Sequence, residues 1–350
     1  MPRSSFIGSG LLLGAAAILM LSGAAGAQTA PNPYRAAVAG WEKLPAGKKL
    51  GVSSGVFPDR DGKHIWILAR CGGNNCAGSD LDPILKFDMD GRLVQSFGKS
   101  VLAFPHGFFL DHEGNIWVTE GAPVGDRRGE PGFRIGKGHQ VFKFSAGGKL
   151  LMTLGEAGVA GDDETHFNGP SGVAVAANGD IWVVDGHRGG NNRLVRFDKT
   201  GKFLKSLGGG VGSESAEPGK FSDPHGIAID SEGRILVADR GNNRIQIFDA
   251  EGNYLTQWKQ FGKPSGLYID AKDRLYVGDG MSNQSRNPGW LPGIRIGSAK
   301  TGEVTAFIPD HQVYKDGESG VEFLAVDATG AIYAGEVTRQ RLVKYELVRP

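Results

Sequence analysis

The sequence predicts an all-β chain folded as a six-bladed β-propeller. Three observations lead there. One phrase recurs six times along the chain, glycine supplies 56 of 350 residues, and the apolar runs between glycines are short and alternating. Glycine at more than twice average usage, without a strict G-X-Y period, fits turn-rich β structure and not collagen. Hydrophobic residues make up 40% and charged residues 22%, which supplies a sizeable core and argues against a disordered chain. Lys+Arg number 39 against 38 Asp+Glu, a net charge of +1. That balance lacks the basic excess of a nucleic-acid binder.

The first element is a targeting segment. Arg3, the apolar run over 10–21 and the small-x-small end Ala25-Gly26-Ala27 read as a secretory signal peptide over 1–27. The run is short for a membrane span, and no later stretch reaches the roughly 20 apolar residues that one needs. The expected mature chain, 28–350, is one propeller domain in the periplasm or outside the cell. Cys71 and Cys76 are the two cysteines. In such a compartment the expectation is one local disulfide, since a zinc site needs more ligands than this pair offers.

The repeats follow. Pro105–Asp111 leads to Asn115–Glu120, Pro170–Val175 to Asp180–Asp185, Pro224–Asp230 to Arg234–Asp239, and Pro264–Asp270 to Arg274–Asp279. Weaker copies start at Ser53 and Val321. Each continues into a third run, such as Arg244–Asp249, a glycine-containing turn, and a fourth run, such as Tyr254–Trp258. The last five copies start 65, 54, 40 and 57 residues apart, and the shortest spacing approaches the bare period of a four-stranded blade. An open stack of meanders is the alternative, but one blade cannot bury its own faces and nothing resembles a cap. The last copy stops at its third run, Leu342–Tyr345, so Tyr34–Trp41 is expected to complete it and close the ring.

Aligned copies turn sequence position into geometry. The residue before the first glycine-like position is Ser54, His106, Ser171, His225, Ser265 and Glu322. His106, His225 and Glu322 fall on alternate blades, about 120° apart at the start of the innermost strand. Two imidazoles and a carboxylate converging on the channel form a catalytic metal set with open positions. The plainer reading is that each histidine is merely hydrogen-bonded at a repeat entry. After the acid that ends the second run, copies one and four carry Arg70 and Arg240. Opposed guanidiniums there suit a carboxylate ligand, or each pairs with an acid of a neighbouring blade. The acids Glu120, Asp185, Asp239, Asp279 and Glu336 recur too regularly for chemistry and are expected to cap loop N–H groups. His187 opens a glycine- and asparagine-rich loop and is a candidate general base. His64, His112, His139, His166 and His311 fall in turns or loops and are expected to be solvated.

Val237-Ala238-Asp239-Arg240-Gly241-Asn242-Asn243-Arg244-Ile245-Gln246-Ile247-Phe248 resembles an NHL repeat. Among NHL propellers, the set resembles the peptidyl-α-hydroxyglycine α-amidating lyases and their exported bacterial relatives. The resemblance implies zinc at His106 and His225, with Glu322 where the third zinc histidine stands. It implies substrate- and metal-side roles for Arg70 and Arg240, and places His187 at the catalytic tyrosine. The family's structural calcium uses an Asp where this chain has Phe323, so no calcium is expected there. The partner monooxygenase domain of peptide amidation has no counterpart in the sequence.

The leading reading is an exported, zinc-type metal-dependent lyase that splits an N-acyl-α-hydroxyglycine-like substrate into an amide and glyoxylate. The expected partner is a small anionic substrate, without nucleic acid or a membrane span in the mature chain, and a protein partner stays open. The alternatives are a non-catalytic binding or scaffold propeller of the periplasm and a lactonase-like hydrolase, which favours calcium with carboxylate or Asn ligands.

Overall fold

A computed structural model describes residues 26–36, 40–121, 136–210, 214–310, 312 and 314–348. The targeting run, most of the loop after Gly121 and His311 lie outside the described residues. Among the described residues, no helix is long and apolar enough to cross a membrane.

Six four-stranded antiparallel sheets form a ring. Their innermost strands are Ser53–Pro58, Pro105–Leu110, Pro170–Val175, Pro224–Ile229, Leu267–Ile269 and Val321–Val326. They define blades one to six, and in blades one to five the chain runs outward strand by strand. Blade six takes its outermost strand from the other end of the chain. Tyr34, Arg35 and Ala36 pair with Leu347, Glu346 and Tyr345.

The core is a set of blade-to-blade seams. Trp66 of blade one packs with Phe108 and Ile116 of blade two. Trp117 of blade two packs with Val173 and Ile181 of blade three, and Trp182 with Ile227 and Ile235 of blade four. Corresponding clusters join blades four to five, five to six and six back to one. The buried indoles keep a polar outlet: Trp66 and Trp117 donate to the turn carboxylates of Asp59 and Asp111 at 2.7 and 2.9 Å.

The recurrent acids are structural. Glu120 accepts the N–H groups of Ala103 and Phe104, Asp185 that of Asn168, Asp239 that of Ser222, and Asp279 that of Lys263. Four also pair with an arginine on the third strand: Asp185 with Arg193, Asp239 with Arg244, Asp279 with Arg295 and Glu336 with Arg341. Cys71 and Cys76 form a disulfide.

Candidate metal centre

Five of the six innermost strands carry a register shift at their channel end, at Ser53/Gly55, Pro105/Phe108, Pro170/Gly172, Pro224/Ile227 and Val321/Phe323. Such bulges re-aim one side chain, here the residue at the ligand position. The glycine after it is required by close approach. A Cβ on Gly107 would stand 2.6 Å from the Ser171 carbonyl oxygen, and one on Gly226 2.4 Å from that of Ser265. The Pro-His-Gly motif thus records how tightly successive inner strands pack.

Those same carbonyls set the histidine tautomers. Ser54 and Ser171 donate to the Pro105 and Pro224 carbonyls of the next blade, each at 2.9 Å. His106 Nδ1 lies 2.9 Å from the Ser171 carbonyl oxygen and His225 Nδ1 3.3 Å from that of Ser265. A carbonyl only accepts, so Nδ1 carries the hydrogen and Nε2 keeps its lone pair. Both Nε2 atoms are buried without a hydrogen-bond partner, a costly state in a protein interior that a metal ion relieves.

His187 completes the group. Its N–H is held by the Gly169 carbonyl at 2.9 Å, and Asn191 behind it donates to Asp185 at 2.7 Å. The loop therefore turns the His187 ring into the channel. Ring centroids are 4.4 Å apart for His106–His187, 4.7 Å for His106–His225 and 5.0 Å for His187–His225. One nitrogen from each lies within 4.8 Å of the others. This close set comes from blades two, three and four, whereas the sequence pointed to blades two, four and six. Glu322 sits beside it. Its Oε1 is 3.2 Å from His225 Nε2, without hydrogen-bond alignment, and 3.3 Å from Arg240 Nη1. His187 Nδ1 faces Asp223 Oδ1 at 3.5 Å and Arg240 Nη2 at 3.1 Å. A guanidinium only donates, so His187 Nδ1 accepts from Arg240, and the longer contact with Asp223 is electrostatic.

Burial disfavours the charged imidazole. It holds His106 well below its ordinary value, helped by His187, His225 and Arg70, and presses His187 down to about 3. His225 is lowered by burial and by Arg240. All three are neutral ligands at neutral pH. Burial opposes ionisation of Glu322, yet its carboxyl is held well below the ordinary carboxylate range; with the histidines neutral, the charges that favour the ionised form are the Arg70 guanidinium and Arg240 Nη1 at 3.3 Å. Burial lowers Arg70 to about 10, which leaves it charged.

Below the centre, the Phe323 ring lies 5.5 Å from His106 and 5.3 Å from His225. Beyond it, Phe57, Phe109, Tyr268 and Ile229 line an apolar cavity of about 60 Å³. His139, expected in solvent, is instead buried, with Nδ1 3.4 Å from the Gly169 N–H.

Residues 167–197 and 221–248 match the NHL repeat. The six-bladed propeller carries NHL repeats at these residues. The chain is 37% identical over 225 residues to NHL repeat-containing protein 3 of Homo sapiens, covering 63% of this chain and 58% of that protein. It is 32% identical over 219 residues to the probable peptidyl-alpha-hydroxyglycine alpha-amidating lyase of Caenorhabditis elegans, covering 58% and 57%. It is 37% identical over 178 residues to peptidyl-glycine alpha-amidating monooxygenase A of Xenopus laevis, covering 49% of this chain and 17% of that protein. The chain thus spans less than two thirds of the length of each. The fold is shared with a gluconolactonase from Xanthomonas campestris, at TM-score 0.57, 15% identity and coverage of 90% and 95%. It is shared also with virginiamycin B lyase from Staphylococcus aureus, at TM-score 0.54, 14% identity and coverage of 90% and 99%.

Sequence reasoning missed Asp223, Arg188 and Phe104. For Asp223 a pointer existed. The residue two before the ligand position is Phe104, Gly169, Asp223 and Lys263 in copies two to five, and an acid stands there once.

Proposed function

We infer that the chain is an exported, metal-dependent carbon–nitrogen lyase of the amidating type, which splits an N-acyl-α-hydroxyglycine into an amide and glyoxylate. The observation that carries the metal is the pair of buried, unpartnered Nε2 atoms on His106 and His225 beside His187. The names of the amidating relatives support the reaction. The Cys71–Cys76 disulfide and the leader-like sequence over 1–27 support export.

His106, His187 and His225 would hold the cation, and three neutral imidazoles suit zinc. A cation held there would polarise the substrate hydroxyl and lower its pKa. Arg70 presents a buried, unpartnered Nη2 to the substrate carboxylate, where low dielectric strengthens a charged hydrogen bond. Glu322 Oε1, ionised and beside the triad, accepts the hydroxyl hydrogen. Phe104 and Phe323 wall the site against water. The reaction consumes no water: the C–N bond breaks, the hydroxyl carbon becomes the aldehyde of glyoxylate, and the hydroxyl proton ends on the amide nitrogen. His187, with its basicity pressed down by burial, serves here as a ligand and not as the base.

The test is glyoxylate release from N-benzoyl-α-hydroxyglycine by protein loaded with zinc, against the same protein stripped of metal and against His106→Ala. Metal-dependent release supports the reading. Metal-loaded protein that releases none refutes the reaction, and protein that binds no metal moves the propeller to the binding-module class.

A further inference from the structure

The two arginines aligned on blades one and four are not equivalent. Arg240 is fully engaged. Its Nε and Nη2 donate to Asp223 Oδ2 at 3.0 and 2.8 Å, Nη1 reaches Glu322 Oε1 at 3.3 Å, and Nη2 also lies 3.1 Å from His187 Nδ1. Two carboxylates already offset its charge, so it has little left for a ligand. Arg70 is the opposite case. Nε donates to the Pro105 carbonyl at 3.1 Å and Nη1 to Asn74 Oδ1 at 2.8 Å. Nη2 has no partner although the residue is only 2% exposed. Among the described residues no carboxylate forms an ion pair with it.

A second guanidinium shares its platform. The Arg70 guanidinium carbon stands 4.0 Å from the Phe104 ring centroid, and that of Arg188 stands 5.3 Å from the same centroid. The Phe104 ring is 6.0 Å from that of His106, so both cations border the histidine centre. Arg188 follows His187 directly and has a left-handed backbone, φ 58°. Its N–H donates to Asp223 Oδ1 at 3.1 Å, which fixes where the side chain departs. The two like charges repel, and Arg188 contributes to the lowering of Arg70. Two cations against one aromatic ring, with a buried Arg70 N–H that has no hydrogen-bond partner, suit an anionic ligand.

We propose that Arg188, beside Phe104, is a second cation of the subsite in which Arg70 receives the carboxylate of a small organic acid at the histidine centre, and that Arg240 is a positioning residue for His187 and Glu322. The role of Arg70 and the choice of an N-acyl-α-hydroxyglycine as that acid rest on the function inferred above, while the part given to Arg188 rests on the geometry.

The experiment is calorimetric titration of zinc-loaded protein with N-benzoylglycine and with its uncharged amide, which differ at the carboxylate alone. The wild type binds the acid more tightly. Arg188→Ala weakens acid binding by roughly tenfold to a hundredfold, the usual worth of a charged hydrogen bond, and leaves amide binding and metal content unchanged. Arg188→Lys retains part of the preference and Arg188→Glu removes it. Because Arg188 is exposed, these variants should fold, and a melting curve checks this. Wild-type binding that is equal for acid and amide, or undetectable for both, overturns the subsite. So does an Arg188→Ala protein that keeps the full preference. If the preference behaves as expected while the wild type releases no glyoxylate from the α-hydroxy analogue, the subsite stands and the lyase reading falls.

Discussion

Arg240→Met removes the cation between Asp223 and Glu322 while keeping much of the side-chain volume. In the wild type, Asp223 accepts two N–H groups at 3.0 and 2.8 Å and Glu322 one at 3.3 Å. Removing one partner of a buried ion pair costs about 3–5 kcal/mol, because the remaining charge stays buried. The Glu322 side chain is 9% exposed, but that of Asp223 is 28% exposed and regains water. The expected loss is therefore about 3 kcal/mol, at the lower end. Urea unfolding of metal-free protein reads it as a lower midpoint at unchanged slope. Adding Glu322→Gln to Arg240→Met should recover about 1–2 kcal/mol, since the stranded carboxylate is then neutral. Zinc should stabilise Arg240→Met more than the wild type, because a dication replaces the missing charge beside Glu322. A loss below about 0.5 kcal/mol, the range of an ordinary surface change, would refute the idea that Arg240 holds this network together.

Three further outcomes follow. Burial presses folded His187 to about 3 from an ordinary 6.5, so below pH 6.5 the unfolded chain takes up a proton that the folded chain refuses. Metal-free wild type should lose stability as pH falls from 6.5 toward 3, by up to about 1.4 kcal/mol per unit from this group, and His187→Gln should lose less between pH 7 and 5. Glu120, raised by burial to about 7, acts in the opposite direction but equally in both proteins; equal pH profiles would count against a buried neutral His187. Thiol titration under denaturant should find no free cysteine, and reduction of the disulfide, whose cysteines are 5 residues apart, should cost at most about 2 kcal/mol in urea unfolding. Tyr34→Ala should cost about 3 kcal/mol, because Tyr34 is 7% exposed among Tyr276, Ile294 and Ile308; a loss under about 1 kcal/mol would show that the seam does not depend on it.

Sequence and structure agree where the repeat dictates position. Six copies gave six blades because each apolar alternation must bury against a neighbour, and the missing strand of the last copy pointed to Tyr34. His106 and His225 were legible because they interrupt a serine at one aligned position. The place of His187 was not, since it lies on a loop outside the strand alignment. Its ring is aimed by the Gly169 carbonyl and by the Asp185–Asn191 hydrogen bond. Arg70 and Arg240 look alike in alignment. Their difference comes from Asp223 and Glu322, residues 17 before and 82 after Arg240 in the chain. Arg188 was hidden for a similar reason: its relation to Arg70 passes through Phe104, on another blade.

The central claim is that imidazoles from blades two, three and four hold one metal ion. X-ray absorption at the metal edge, on protein purified without a histidine tag and loaded with zinc, tests it most directly. The account predicts one zinc per chain with three imidazole nitrogens at about 2.0–2.1 Å, falling to two in His187→Ala. A zinc coordinated by two imidazoles and a carboxylate in the wild type, unchanged in His187→Ala, would contradict it.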